Sequence, residues 1–83
     1  MTIKTKVVWT AEQAQDPVAM QVIEDQAYTW EDRQTGGKEI FLNEPSEGFV
    51  TAFRYWATEA WAGEWVDFVL AQNAVSAIIE ITP

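Results

Sequence analysis

The stretch from Gly48 to Gln72 constrains the fold most, because it passes directly from strand periodicity to helix periodicity. Residues 49–56 are almost all β-branched or aromatic, which predicts a strand with large apolar groups on both faces. From Thr58 onward the apolar residues recur at helical spacing, and Thr58 itself suits an N-cap. We therefore expect a strand that feeds a helix packed on its own sheet.

The rest of the chain extends this pattern. Residues 3–10 alternate as a first strand, residues 11–15 form a short turn or helical prelude, and Asp16-Pro17 starts a helix reaching to about Gln34. Residues 38–44 form a second strand, a turn leads to the strand at 49–56, and residues 74–82 form the last strand. This order predicts one α+β domain over residues 1–83, a ferredoxin-like βαββαβ sandwich with a four-stranded antiparallel sheet and two helices on one face.

Composition excludes several classes of function. The 83 residues include neither Cys nor His, which removes thiolate chemistry, disulfides, the commonest general base and the commonest transition-metal ligand. The net charge is −8 and the five basic residues form no run, which disfavours direct binding to nucleic acid. No apolar stretch approaches a membrane span. We expect no catalytic residue, cofactor or metal, and a cytoplasmic location.

The uncovered face of the predicted sheet is the first candidate site. The alternation does not decide which face of the 49–56 strand looks outward. With Arg54 and Trp56 outward, the face mixes aromatic, aliphatic and charged side chains, a composition typical of an interface between copies of the chain. The alternative is an open sheet without a partner. The predicted self-association residues are Lys4, Lys6, Val8, Phe41, Arg54, Trp56, Ile78 and Glu80.

A row of carboxylates on the helices is the second candidate site. Two acidic pairs lie seven residues apart on the first predicted helix, and two further acidic residues on the second helix extend the row if the helices lie side by side. Such a row is either a solvated helix face or a mimic of nucleic-acid phosphates that inhibits a basic host defence protein. The residues are Glu24, Asp25, Glu31, Asp32, Glu64 and Asp67. A third hypothesis is a small-ligand pocket or cofactor-free enzyme site under Trp9, Phe53, Tyr55 and Trp61.

Two resemblances bear on function. The element order with an aromatic-rich open sheet resembles the dimeric α+β barrel group, which includes the cofactor-independent monooxygenases of antibiotic biosynthesis. Without His, none of that activity is carried over. The motifs KTKVVWT, RYWATEAW, WVDF and VSAII are similar to those of short proteins encoded by tailed bacteriophages. This resemblance implies a viral protein in the host cytoplasm or the virion. The leading expectation is a non-enzymatic interaction module that binds itself, with a basic host or virion protein as a further partner.

Overall fold

The computed structural model describes residues 1–36, 41–42 and 47–83. These residues form a mixture of strands and helices, so the chain has an α+β fold. In chain order the elements are β1 (Thr2–Thr10), α1 (Ala11–Gln15), α2 (Pro17–Thr29), a 3₁₀ turn (Glu31–Arg33), β2 (Phe41–Leu42), β3 (Phe49–Trp56), α3 (Glu59–Ala71) and β4 (Ser76–Thr82).

The sheet is antiparallel and has β1 at its centre. The strand order is β2-β3-β1-β4. The strand β1 pairs with β3 from Ile3 opposite Trp56 to Thr10 opposite Phe49. It also pairs with β4 along nearly its whole length. Among the described residues, two pairs join β2 to β3, namely Phe41 with Phe53 and Leu42 with Ala52. Three long strands therefore carry the sheet.

The predicted α+β class is confirmed, but the predicted ferredoxin-like sandwich with a four-stranded sheet and two helices is wrong. The long strands form a three-stranded antiparallel sheet in the order β3-β1-β4, and the described part of β2 adds only Phe41 and Leu42 at one edge. The remainder of the predicted second strand, residues 38–40 and 43–44, lies outside the described residues, as do residues 45–46 of the predicted turn.

The first predicted helix is divided differently from the expectation. Thr10 and Gln13 form a capping box that starts the short helix α1, and Asp16 then adopts an extended conformation before Pro17. The Asp16 carboxylate caps α2 by accepting hydrogen bonds from the backbone N–H groups of Val18 and Ala19. Two caps in succession therefore produce two helices.

The helix α2 ends at Thr29 instead of Gln34 because the following residues make other hydrogen bonds. The Gln34 side chain donates to the carbonyl of Ala27 at 2.8 Å, which satisfies an acceptor near the helix end. The backbone N–H of Thr35 donates to the carbonyl of Tyr55, and that of Ala57 donates to the carbonyl of Arg33. The segment after the 3₁₀ turn is thereby attached to the end of β3.

The core lies between one face of the sheet and the helices. Two polar side chains, Thr5 and Arg54, are buried with it. The indole Nε1 of Trp56 donates to the hydroxyl of Thr5 at 3.0 Å, so the buried indole N–H and the buried hydroxyl each have a hydrogen-bond partner. The buried apolar residues are Ile3, Val7, Trp9, Ile23, Ala27, Val50, Ala52, Trp56, Ala62, Trp65 and Val69.

Candidate protein interface

Strand register determines which side chains share the uncovered side of the sheet, because residues directly opposite in an antiparallel pair point to the same face. Lys4 lies between Tyr55 and Glu80, and Lys6 lies between Phe53 and Ile78. We call this surface the open sheet face. Its members are Lys4, Lys6, Val8, Thr51, Phe53, Tyr55, Ser76, Ile78 and Glu80.

Two of the predicted self-association residues lie on the wrong face. Arg54 and Trp56 are only 3% and 2% exposed and lie in the core under the helices. The reason is the register, which places them opposite Thr5 and Ile3, two buried residues of β1. Their place on the open sheet face is taken by Phe53, Tyr55 and Thr51, the other of the two sets between which the alternation could not decide.

The other predicted members with described side chains, namely Lys4, Lys6, Val8, Ile78 and Glu80, lie on the open sheet face. The three β1 residues are partly exposed, and Ile78 is half exposed. The register places Phe41 opposite Phe53. The sequence does hold a clue to the correct face. Thr51 and Tyr55 carry hydroxyl groups that favour the solvent side, whereas the alternate set contains the apolar residues Val50, Ala52 and Trp56. Arg54 obscured this clue because an arginine side chain normally reaches water.

Lys4 links all three long strands on the open sheet face. Its ammonium is 3.1 Å from the Glu80 carboxylate and 4.9 Å from the centre of the Phe53 ring. The ion pair compensates the charge of Glu80. The cation–π contact holds the Lys4 side chain along the sheet. Among the described residues, Lys6 has no ion-pair partner. The surface therefore combines exposed apolar groups with one unpaired cation.

Arg54 forms a buried charged site on the helical side of the sheet. Its Nη1 donates to the side-chain oxygen of Gln34 at 2.6 Å, and its guanidinium carbon lies 5.1 Å from the centre of the Trp65 ring. Desolvation lowers the pKa of Arg54 to about 10, and the charge of Glu24 acts in the opposite direction. The side chain therefore stays protonated at neutral pH. Within the described part of the chain, Nε and Nη2 have no hydrogen-bond partner.

The predicted acidic row is not continuous. Because α2 ends at Thr29, Glu31 and Asp32 lie in the 3₁₀ turn and do not stack on Glu24 and Asp25 along one helix. These four residues are exposed. Asp25 accepts a hydrogen bond from the side chain of Gln21 at 2.7 Å. The row is therefore two separate acidic pairs.

The acidic residues of α3 are also divided. The Glu64 carboxylate forms an ion pair with Arg33 at 2.7 Å, so its charge is compensated, while Asp67 is exposed. The Arg33 guanidinium also lies 4.8 Å from the centre of the Trp30 ring and 5.6 Å from that of Trp61. Arg33 thus connects the 3₁₀ turn to α3.

Charge is distributed unevenly between the two sides of the sheet. Among the described acidic residues, Glu80 is the one on the open sheet face, and Glu47 lies in a turn. The others lie on the helices, their caps and the 3₁₀ turn, namely Glu12, Asp16, Glu24, Asp25, Glu31, Asp32, Glu59, Glu64 and Asp67. The helical side is therefore strongly acidic, and the open sheet face is not.

The residues of the predicted ligand pocket do not come together on one side of the sheet. Trp9 is buried on the helical side, whereas Phe53 and Tyr55 lie on the open sheet face, so the sheet separates them. The aromatic cluster instead joins Trp65 to Trp56 at 5.4 Å and to Trp30 at 6.3 Å between ring centres. These rings pack against one another in the core.

Nothing in the described part of the chain suggests a metal site or a membrane span. Residues 1–36, 41–42 and 47–83 contain no group of three or more acidic residues placed to hold a metal ion. None of the described helices is long and apolar enough to cross a membrane. Comparison with protein-family models, with curated proteins and with solved structures finds no match to this chain.

Proposed function

We propose that this protein is a non-enzymatic interaction module that associates with a second copy of itself through the open sheet face. The observation that supports this proposal is the one-sided cover of the sheet. The helices bury one face, while the other leaves Phe53, Tyr55 and Val8 only partly covered and Ile78 half exposed. Contiguous apolar groups of this kind are typical of protein interfaces.

The charge distribution favours contact through this face over contact through the helices. A chain with a net charge of −8 repels its own copies. When two copies stack sheet on sheet, their acidic helical sides point away from each other, and the approaching surfaces carry Lys4, Lys6 and Glu80. Electrostatic repulsion is therefore smallest in this arrangement. Added salt should strengthen the association because it screens the remaining repulsion.

The size of the face sets the expected affinity. An eight-residue strand is about 26 Å long and three strands are about 14 Å wide, so the flat area is about 370 Å² per copy. Two stacked copies then bury about 750 Å², which is below the roughly 1,000 Å² of a specific stable interface. We expect a weak dimer that dissociates on dilution.

Light scattering of Phe53→Lys, with Val18→Lys as a matched control, tests this proposal. Val18 is 75% exposed on α2, so both variants gain one positive charge but only the first changes the open sheet face. We expect concentration-dependent association for the wild type and for Val18→Lys, and clearly weaker association for Phe53→Lys, because that variant loses the contact through the open sheet face. Equal association of the two variants would refute the open sheet face as the contact, provided that circular dichroism shows both folded.

The biological setting is part of the same proposal. The bacteriophage-like motifs support an accessory or virion-associated protein that acts in the host cytoplasm or on the particle. Mass spectrometry of purified particles separates these two settings. A chain present at constant stoichiometry in washed particles is a virion component, and a chain found only in the lysate is an accessory protein.

A second candidate function rests on the acidic helical side. The exposed carboxylates of Glu24, Asp25, Asp32 and Asp67 favour a basic partner, such as a host defence protein whose nucleic-acid site they would occupy. Titration against basic nucleic-acid-binding proteins tests this function at low and high salt. We expect the affinity for the basic protein to fall as salt is added. It should also be lower for the double variant Asp25→Asn with Asp67→Asn than for the wild type. Salt-independent binding, or binding unchanged in the double variant, would count against it.

A further inference from the structure

The strand β4 forms one edge of the sheet, and no described strand pairs with its outer side. Its sequence SAIIEIT has high β-propensity, and Ile78 and Ile81 are 50% and 44% exposed. Proteins usually protect such an edge with a charge, a bulge or a proline. Here the one charge, Glu80, is bound to Lys4 of the neighbouring strand β1 at 3.1 Å. The edge is therefore left unprotected.

We propose that β4 pairs with β4 of a second copy, antiparallel and around a two-fold axis at Ile79. This contact lies at the sheet edge and goes beyond the proposed stacking of open sheet faces. An axis perpendicular to the sheet keeps the helices of both copies on the same side. The two sheets then join into one continuous sheet through backbone hydrogen bonds.

The register follows from the residues of β4. With Ile79 opposite itself, Ile78 faces Glu80 of the second copy, Ala77 faces Ile81, and Ser76 faces Thr82, so the whole strand is paired. An axis at Glu80 would place two carboxylates opposite each other, which is unfavourable. An axis at Ile78 would leave Ile81 and Thr82 without partners. Only the register centred on Ile79 pairs the complete strand without opposing like charges.

This register covers the exposed apolar groups of the edge. Ile81 points to the helical side of the sheet, because it is opposite the buried Ile3, yet it is 44% exposed. In the paired dimer its direct neighbour is Ala77 of the second copy, an aliphatic contact. Ile79 meets its own copy at the axis. Burial of these side chains adds an apolar contribution to the backbone hydrogen bonds.

The pairing also enlarges the open sheet face, and this step rests on the proposed function. Two copies joined at β4 present six long strands, or about 750 Å² of flat area. Stacking two such dimers would bury about 1,500 Å², which is within the standard range for a stable interface. Edge pairing followed by stacking therefore predicts a tetramer, and edge pairing alone predicts a dimer.

Cysteine cross-linking tests the register, because the natural chain contains no Cys. The variants Ser76→Cys and Thr82→Cys are purified separately, one with a mass tag, and mixed under mild oxidation. Directly opposite residues have Cα atoms about 4.5 to 5.5 Å apart, which a disulfide spans. Two copies of Ser76 would be about 20 Å apart along the strands. We expect the mixed disulfide dimer to exceed the like-with-like dimers.

Two outcomes of this experiment would overturn the pairing. They are like-with-like cross-links as abundant as the mixed one, and no cross-link at any concentration. Adding Phe53→Lys to both cysteine variants separates the edge contact from face stacking. The mixed cross-link should persist although stacking is lost. Its disappearance would assign it to stacking and refute the edge contact.

A charge-swap pair provides a second measurement. The double variant Ser76→Lys with Thr82→Lys places like charges opposite each other, whereas Ser76→Lys with Thr82→Glu places opposite charges there. We expect dimer affinity to differ on the order of tenfold in favour of the second variant. Repulsion between the net charges of two copies alone would make the first variant associate more tightly, because its two lysines reduce the negative charge of the chain. Tighter association of the first variant would therefore refute the register.

Discussion

The substitution Arg54→Met tests whether the buried guanidinium is a source of instability. The side chain is 3% exposed and donates one hydrogen bond, to Gln34, within the described residues. Burial removes water from the charge and lowers the pKa of Arg54 to about 10. A depression of this size corresponds to about 3 kcal/mol against the folded, charged state. Methionine has a similar length and no charge.

Two opposing terms determine the expected result. Loss of the hydrogen bond from a charged donor destabilises the protein by about 1.5 to 3 kcal/mol. Removal of the desolvated charge raises the free energy of unfolding by about 3 kcal/mol, and the Met side chain keeps its contact with Trp65. We expect Arg54→Met to match the wild type or to exceed it by about 1 kcal/mol. Urea unfolding followed by tryptophan fluorescence measures the difference.

A pH series provides an independent check of the same reasoning. The folded pKa of Arg54, about 10, lies below its unfolded value, so the unfolded state binds more protons from about pH 10 upward. The wild type should therefore gain stability relative to Arg54→Met as pH rises through this window. A Met variant less stable by more than about 2 kcal/mol at neutral pH, with a flat difference at high pH, would refute the instability of the buried charge.

Three further predictions concern other contacts. Trp56→Ala should destabilise the fold by about 3 to 5 kcal/mol in urea unfolding, because it leaves a cavity and a buried hydroxyl on Thr5 without its donor; a loss below about 1 kcal/mol would contradict the packing. Thr10→Ala should lower the free energy of unfolding by about 1 kcal/mol through loss of the capping box, and an unchanged midpoint would contradict that cap. Glu64→Gln should change stability by less than about 1 kcal/mol, since the Glu64 side chain of its ion pair with Arg33 is 53% exposed, and a greater loss would show the pair to be stronger than this exposure implies.

The helix and strand assignments that rest on strong periodicity agree with the structure. The strand at residues 49–56 and the helix capped by Thr58 lie where alternation and capping placed them. The first strand also follows its alternation, with Ile3 and Val7 buried. These stretches could be predicted because one face of each is almost entirely apolar, and burial of that face decides the conformation.

The end of α2 could not be predicted from local pattern. The sequence continues with good helix formers up to Gln34, but hydrogen bonds to residues distant in sequence end the helix at Thr29. Gln34 forms an isolated bridge with Trp56, more than twenty positions away. Such long-range pairing overrides helix propensity, and a single sequence gives no measure of its strength.

The face of β3 could not be assigned because both alternate sets are rich in apolar residues. Arg54 was the misleading residue, since it is buried against Trp65 and Gln34 and does not reach water. The error affected two of the predicted interface residues, Arg54 and Trp56, which lie in the core. The correct face depends on the pairing with β1, and this pairing is a property of the folded sheet.

Because its negative charge is concentrated on the helical side, the molecule is electrically asymmetric. A positively charged surface would attract the helical side and orient the chain with its sheet outward. Attachment to a basic partner through the helices would leave both Phe53 and the β4 edge free. The two proposed contacts, with a basic partner and with a second copy of the chain, therefore use different sides of the molecule and do not compete. On such a surface the bound molecules would share one orientation, which brings their sheet edges into one plane and favours pairing of two neighbouring copies through β4.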